Sequence, residues 1–185
     1  LDRSSAASDV YKRQVLYSHF RSEHLRVHHL YVGTPRDAVT ARYNENFHRF
    51  FPRVLRDGLR SSFRAERAML ARKGLPWFHP SNPFWRYWAL QGAMLALALG
   101  LGGWLGLGLF AFQALVAIWQ LELVNYVEHY GLTRRHLGNG KYEHVMPHHS
   151  WNADHRASNW LLINLQRHSD PVSYTHLTLP TSDLV

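Results

Sequence analysis

Three histidine clusters have the composition and spacing of metal ligands. They are E-H-L-R-V-H-H at residues 23–29, E-H-Y-G at 128–131 and Q-R-H-S-D at 166–170. Imidazole binds iron, zinc and copper well near neutral pH. Within the first cluster, His24 and His28 are four residues apart, so on a helix they project from one face. The sequence therefore predicts a histidine metal centre, although each cluster taken alone is also compatible with solvated or interfacial histidines.

Polar side chains beside these clusters predict how the histidines are oriented. Glu23 adjoins the first cluster, where a carboxylate can accept a hydrogen bond from the ring N–H of a metal-bound histidine. Glu122 and Asn125 precede His129 on the same helical face. Polar groups at membrane depth usually face the protein interior. The chain has no cysteine, which excludes disulfides and thiolate metal ligands.

Two helices are expected before the apolar part of the chain. Residues 15–31 form the first, which the Gly-Thr-Pro sequence at 33–35 ends. Residues 44–73 have apolar side chains at helical spacing between many arginines. We predict one amphipathic helix here, or a pair broken near Pro52 or Gly58. It either lies at a membrane surface or packs with a solvated arginine face.

A long apolar stretch separates the first two clusters. From Tyr87 to Val127 the chain has no Lys or Arg and one charged residue, Glu122. We predict two membrane helices, at residues 84–101 and 104–127, because each approaches the roughly 20 residues needed to cross a bilayer. A buried hairpin of a soluble protein is the alternative. A transmembrane hairpin would bring the first two histidine clusters to one membrane face.

The net charge is strongly positive, at +8 from 21 Lys and Arg against 13 Asp and Glu. Arginine is frequent in residues 21–86, is absent from the apolar stretch and returns at Arg134 and Arg135. This distribution is typical of the cytoplasmic flanks of membrane helices. A nucleic-acid-binding protein is disfavoured, because no recognisable nucleic-acid-binding motif accompanies the charge. The predicted fold is an all-α membrane helical protein with one transmembrane hairpin and cytoplasmic-side histidine-bearing helices.

The two ends of the chain differ from its middle. Residues 1–14 and 171–185 are rich in Ser, Thr and Asp and are similar to translated sequencing-adapter sequence. Natural flexible termini are the alternative. We therefore expect residues 15–170 to be a partial domain with a non-native tail at each end.

Five motifs in this middle part identify a family resemblance. They are H-F-x-x-E-H-x-x-x-H-H (19–29), T-P-x-D-x-x-T-A-R (34–42), N-Y-V-E-H-Y-G-L (125–132), Y-E-H-x-x-P-H-H-S-W-N (142–152) and L-Q-R-H-S-D (165–170). In this combination and order, they resemble the membrane-bound alkane 1-monooxygenases. That family lies within the wider fatty-acid-desaturase-like group of histidine-rich di-iron enzymes.

The resemblance implies two non-haem irons bound by nine histidines. The positions of this chain that match are His24, His28, His29, His129 and His168. The family's first histidine box would lie before Val15. Its final box would continue with two histidines where Pro171 and Val172 stand. Because four ligands are missing, we expect the chain as given to be inactive.

Further polar residues near these motifs are expected to support the ligands or the fold. Glu23, Glu128 and Asp170 are predicted to accept hydrogen bonds from ligand ring N–H groups. Four other histidines match no family ligand and are expected to be structural or surface residues: His144, His148, His149 and His155.

The implied reaction is O2-dependent hydroxylation of the terminal carbon of an alkane, with electrons from a rubredoxin-type donor. The implied location is the bacterial inner membrane, in a multi-pass protein whose site faces the cytoplasm. The nearest alternatives are an arene-methyl hydroxylase and a lipid desaturase. A non-catalytic membrane protein that binds zinc or haem is a third. Iron content, O2-dependent turnover and the identity of the product distinguish these functions.

Overall fold

The computed structural model describes residues 16–151, which form helices and one small β-hairpin. The elements in chain order are α1 (Phe20–Glu23), a π-helical turn (His24–His28), α2 (His29–Tyr31), α3 (Phe47–Arg72), α4 (Pro83–His129), β1 (His136–Gly138), β2 (Lys141–Tyr142) and a 3₁₀ turn (Pro147–His149). Both predicted tails, together with His155, His168 and Asp170, lie outside the described residues.

The first predicted helix is confirmed, with an unexpected turn at its centre. Helix α1, the π-helical turn and α2 are continuous, and together they form what we call the histidine helix (residues 20–31). In the π-helical turn, the backbone N–H of His29 bonds to the carbonyl of His24, five residues earlier. The helix ends before Gly33, whose φ of 72° lies in the left-handed region that favours glycine. The Gly-Thr-Pro stop signal is thus confirmed.

Helix α3 is one unbroken helix, so the prediction of a single helix is confirmed and its alternative, a pair broken near Pro52 or Gly58, is wrong. Asn46 caps its start, because its side-chain oxygen accepts the backbone N–H of Arg49 at 3.0 Å. An ideal Cβ added to Gly58 would lie 3.6 Å from Cγ of Glu23, an ordinary contact distance, so this position of α3 faces the histidine helix.

One face of α3 is buried against the rest of the protein. Its buried residues recur every four positions, as expected for a helix that packs along one side: Phe50, Val54, Gly58, Ser62, Glu66 and Leu70. Six exposed arginines are Arg49, Arg56, Arg60, Arg64, Arg67 and Arg72. This arrangement favours a packed helix with a solvated arginine face.

Helix α4 contains both predicted apolar helices, with a backbone break between them. Asn82 caps its start by accepting the backbone N–H of Phe84 at 3.1 Å. Gly103 has non-helical torsion angles, φ 58° and ψ −151°. An ideal Cβ on Gly106 would lie 2.6 Å from the carbonyl oxygen of Ala98. A straight helix would separate these residues by about 12 Å, so the helix axis bends sharply near Gly103.

The apolar surface of α4 is largely uncovered. Leu101 and Trp104 are each 81 % exposed, and Leu105 is 74 % exposed. Within residues 16–151, α4 is the one helix long and apolar enough to cross a membrane, by length and composition alone. The core helix of a soluble protein would be mostly buried, and that alternative is therefore disfavoured.

Helix α3 contacts α4 near both ends of α4. The ring of Phe47 lies 5.6 Å from that of Trp119 and 5.5 Å from that of Tyr126, centroid to centroid. Farther along α3, Phe63 lies 5.1 Å from Phe84. The two ends of α4 therefore meet the same helix.

The predicted all-α fold needs one correction. Strands β1 and β2 pair antiparallel after α4. Asn139 and Gly140 connect them with φ values of 50° and 70°, as an Asn-Gly hairpin turn requires. The described chain is otherwise helical apart from turns and loops.

Candidate metal centre

Four of the five histidines matched to family ligands lie together. The ring centroid of His24 is 5.3 Å from that of His28 and 4.5 Å from that of His29. The ring of His28 is 4.7 Å from that of His129, which arrives from the last turn of α4. The fifth, His168, is outside the described residues. The predicted convergence of His129 on the first histidine cluster is therefore present.

The π-helical turn explains why His29 joins this group. In an α-helix, a residue five positions further on lies about 140° around the axis, and so on another face. A π-helical turn is wider, because its hydrogen bonds span five residues instead of four. His24 and His29 therefore approach the same face while His28 stays beside them. Such turns occur frequently at functional sites.

The donor chemistry of this cluster fits a metal ion. Two imidazoles that share one ion have ring centroids about 4.5–5.5 Å apart, when each ligating nitrogen lies about 2 Å from the ion. The His24–His28, His24–His29 and His28–His129 separations span 4.5–5.3 Å. His28 and His129 are buried, whereas His24 is half-buried and His29 is exposed. Four neutral nitrogen donors in this arrangement suit iron or zinc.

Asp37 orients His28, one of the two buried rings of this cluster. Its Oδ2 lies 3.0 Å from Nδ1 of His28, and both side chains are buried. Because a carboxylate can only accept, Nδ1 of His28 carries the proton and Nε2 keeps its lone pair for a metal. Burial by itself raises the pKa of the Asp37 carboxyl. When no metal is bound, the charge of a protonated His28 ring and hydrogen bonds from His28 and Thr40 outweigh burial and lower that pKa.

The loop after the histidine helix holds Asp37 in place. The hydroxyl of Thr40 donates to Oδ2 of Asp37 at 2.7 Å, and the backbone N–H of Val39 donates to Oδ1 at 3.1 Å. Thr40 in turn accepts the backbone N–H of Gly33 at 2.9 Å. Asp37 is not among the residues predicted from the sequence. The sequence feature that could have identified it is the T-P-x-D-x-x-T motif, in which the Asp and Thr side chains close a turn.

The predicted hydrogen-bond acceptors behave differently. Neither carboxylate oxygen of Glu23 accepts a hydrogen bond from the described residues, although the side chain is buried. Burial, followed by the charges of Asp37 and Glu122, raises the pKa of Glu23 well above its ordinary value. Oε1 of Glu128 likewise has no hydrogen-bond partner there. The acceptor seen for a clustered imidazole is thus Asp37, while Asp170 lies outside the described residues.

The polar face predicted before His129 is buried as expected. Glu122 is fully buried, and Asn125 and His129 are also buried. The Tyr17 hydroxyl donates to Oε1 of Glu122 at 2.8 Å, and Nδ2 of Asn125 donates to Oε2 at 3.2 Å. Burial, followed by the charge of Glu122, raises the pKa of Tyr17 well above its ordinary value.

A second group of possible ligands is already engaged in hydrogen bonds. Glu143, His148 and His149 each bring one ligand atom within 4.8 Å of the others. Nδ1 of His149 accepts the backbone N–H of Met146 at 2.8 Å, so its proton must lie on Nε2. That nitrogen donates to Oε1 of Glu143 at 3.1 Å. The geometry therefore favours a structural role for His149, while His144 and His148 are exposed.

Arg134 fastens the end of the histidine helix to the following hairpin. Its Nη1 donates to the carbonyls of Leu30 and Val32 at 3.0 and 3.4 Å, and its Nε donates to that of Glu143 at 2.7 Å. These bonds satisfy helix-end carbonyls that lack partners within the helix. An ideal Cβ on Gly33 would lie 3.0 Å from Cγ of Arg134, so glycine permits this close approach.

Comparison with known proteins agrees with this arrangement. The model of the fatty acid desaturase family matches residues 14–170. The chain is similar to alkane 1-monooxygenase 2 of Pseudomonas aeruginosa, with 44 % identity over 86 % of the chain and 42 % of the relative. It is also similar to the xylene/toluene monooxygenase hydroxylase component of Pseudomonas putida, with 32 % identity over 70 % of the chain and 34 % of the relative.

The alkane 1-monooxygenase of Pseudomonas putida is 38 % identical over 83 % of the chain and 38 % of its own length. The chain thus spans about two fifths of the length of the alkane monooxygenases it matches. The family match covers most of the chain, including all four clustered histidines. The chain therefore belongs to the fatty acid desaturase family.

Proposed function

We propose that the chain is part of a membrane-bound non-haem di-iron monooxygenase that hydroxylates the terminal carbon of alkanes. The observation that carries this proposal is the convergence of His24, His28, His29 and His129 in a chain similar to alkane 1-monooxygenases. Two irons would be held by these residues together with His168 and histidines beyond this chain. When bound, iron supplies the activation of O2 and of the unreactive C–H bond.

The residues of this chain would bind and orient. The Asp37–His28 hydrogen bond selects the ring nitrogen that can ligate, and the π-helical turn aligns His29 with it. Burial of His28 and His129 excludes water from one side of the cluster. Because an alkane offers no polar group, it must be positioned by shape and apolar contact, which a site bordered by an apolar helix can provide.

We further propose that α4 forms a transmembrane hairpin whose two ends lie on the cytoplasmic side. The break at Gly103 and the near contact between Ala98 and Gly106 support two antiparallel legs. Contacts of α3 with both ends of α4 support a common side. The arginine-rich flanks support the cytoplasmic orientation in the bacterial inner membrane, since positive residues favour that side.

The electron donor is proposed to be of the rubredoxin type. The exposed arginines of α3 offer a basic surface on which an acidic carrier could dock. Membrane topology explains the same charge, so this part of the proposal depends on the family resemblance.

The deciding experiment uses a longer reading frame that contains this chain, expressed in membranes with an electron-donor chain. We expect bound iron and O2-dependent conversion of a medium-chain alkane to its 1-alcohol. His28→Ala and His129→Ala should lose iron and turnover, whereas His148→Ala, at an exposed histidine, should retain both. Absence of iron, or turnover unaffected by His28→Ala, would contradict the proposal.

Hydroxylation of an aromatic methyl group is the second candidate function. It is favoured by the similarity to the xylene/toluene monooxygenase hydroxylase component. Supplying an alkane and toluene in competition, followed by analysis of the alcohol products, distinguishes the two. Desaturated acyl lipids as the main product would instead support a lipid desaturase.

A further inference from the structure

A buried carboxylate on α3 contacts the histidine helix from the side opposite the metal-binding cluster. Oε1 of Glu66 accepts the hydroxyl of Ser22 at 2.7 Å and Nε of Arg26 at 2.6 Å. The Tyr87 hydroxyl of α4 lies 3.0 Å from the same Ser22 oxygen. Glu66 is 1 % exposed, so one carboxylate joins α3 to the histidine helix in the interior.

The positions of the two donors connect this contact with the histidines. Ser22 and Arg26 lie two residues before and two residues after His24. Two residues correspond to about 200° of rotation along a helix, so Ser22 and Arg26 point away from the side that carries His24 and His28. Both donors also flank the start of the π-helical turn. A change in the rotation of this turn would therefore break at least one bond to Glu66.

We propose that Glu66 is a positioning residue that fixes the rotation of the histidine helix and preserves its π-helical turn. The inference rests on the proposed function, in which His24, His28 and His29 are metal ligands. When the charged bond from Arg26 to the Glu66 carboxylate is lost, the π-helical hydrogen bond of the His29 N–H opens more often, and the turn interconverts with the ordinary α-helical hydrogen-bond pattern. His29 would then move toward another face of the helix, while His24 and His28 would stay on one face.

This role differs from simple stabilisation by an ion pair, here one whose Glu66 side is buried and whose Arg26 side is half-buried. A buried ion pair adds little stability over well-packed apolar residues of the same volume, because desolvation of the charges offsets their attraction. Its effect on geometry is more specific, because one oxygen of Glu66 accepts hydrogen bonds from the residues two before and two after His24. A stabilising role alone predicts a lower melting temperature with unchanged ligand geometry in the folded molecules. A positioning role predicts altered ligand geometry.

The test compares Glu66→Gln with Asp57→Asn in the full chain purified in detergent. Gln keeps the size and an acceptor for Ser22 but loses the charge that pairs with Arg26. Asp57 is the matched control, because it forms an exposed ion pair with Arg56 on the same helix. Co²⁺ serves as the probe, and its visible absorption reports the number and geometry of its ligands. Hydrogen exchange at the His29 amide reports the π-helical hydrogen bond without any metal.

We expect Glu66→Gln to weaken Co²⁺ binding about 10-fold, to change the absorption band and to speed exchange at His29, with no such change in Asp57→Asn. Wild-type affinity, band and exchange in Glu66→Gln would overturn the proposal. A lower melting temperature with an unchanged band and unchanged exchange would overturn it equally. If the wild-type chain binds no Co²⁺, the metal centre proposed above fails in this chain. The exchange comparison then decides the role of Glu66 by itself.

Discussion

Asp37→Asn is the most direct test of how the histidine cluster is oriented. The substitution keeps the shape of the side chain but replaces one carboxylate oxygen with an NH2 group. Oδ2 now accepts hydrogen bonds from His28 and Thr40, and Oδ1 accepts one from Val39. An amide in either orientation places its NH2 group against at least one of these donors. The site therefore loses both a negative charge and at least one buried hydrogen bond.

The expected loss of stability follows from these contacts. A hydrogen bond to a charged group contributes about 1.5–3 kcal/mol. The Thr40 hydroxyl can rotate to accept a hydrogen bond from the new amide. The lost stability is then that of the hydrogen bond from His28, together with the cost of leaving a buried N–H donor poorly paired. We expect the free energy of unfolding to fall by about 2–3 kcal/mol. We also expect metal affinity to fall about 10- to 100-fold, because the His28 ring loses the partner that fixes its tautomer.

The assay pairs chemical denaturation, followed by helical circular dichroism, with calorimetric titration of Fe²⁺ under anaerobic conditions. Asp57→Asn makes the same chemical change at an exposed ion pair, and its stability should stay within about 0.5 kcal/mol of wild type. An Asp37→Asn chain with wild-type Fe²⁺ affinity would refute the orienting role. A loss of stability with unchanged affinity would assign Asp37 to the loop alone.

Three further predictions concern the framework. Burial by itself raises the pKa of Glu45, but hydrogen bonds from Arg53 and from a backbone N–H outweigh it and lower that pKa from 4.5. The ionised Glu45 side chain therefore stabilises the fold above pH 4.5, and this stabilisation is lost as pH falls through the lowered pKa. On acidification, the melting temperature should drop more in wild type than in Glu45→Gln. Gly106→Ala should lower the melting temperature, because the added methyl group meets the Ala98 carbonyl, whereas Gly108→Ala, in open space, should not. The chain should also resist carbonate extraction from membranes, and recovery as a soluble monomer without detergent would contradict the membrane assignment.

The sequence alone was sufficient to predict the helices and part of the histidine cluster. Periodic apolar residues and strong caps marked α3, and an apolar run without Lys or Arg marked α4. His24, His28 and His29 are neighbours in the chain, so their proximity is a local property. Placing His129 beside them required a return of the chain, which the paired glycines near residue 103 indicated.

The T-P-x-D-x-x-T motif indicates the turn that Asp37 closes, but no local pattern reports its contact with His28 or the π-helical turn. Asp37 reaches His28 because the loop folds back through Thr40. The turn is bonded to Glu66, forty residues from Arg26 in the chain. The β-hairpin is a different case, because its Asn-Gly turn at residues 139–140 is a recognisable local signal. The alternative of a break near Pro52 or Gly58 is wrong because α3 packs along its whole buried face, and this packing outweighs local propensity.

The histidine helix is held from several independent directions, which suits the apolar substrate of the proposed function. Asp37 bonds to the ring of His28 on one side of the helix, and Glu66 bonds to Arg26 on the opposite side. Arg134 donates to a carbonyl at the end of the helix and so connects it to the following hairpin. A substrate without polar groups cannot contribute hydrogen bonds that align it with the reacting centre. The accuracy of the reaction must then come from the ligands, whose rings need rigid support from neighbouring side chains. A helix only twelve residues long (20–31) has little rigidity of its own, so contacts from α3, the Asp37 loop and the hairpin supply that support.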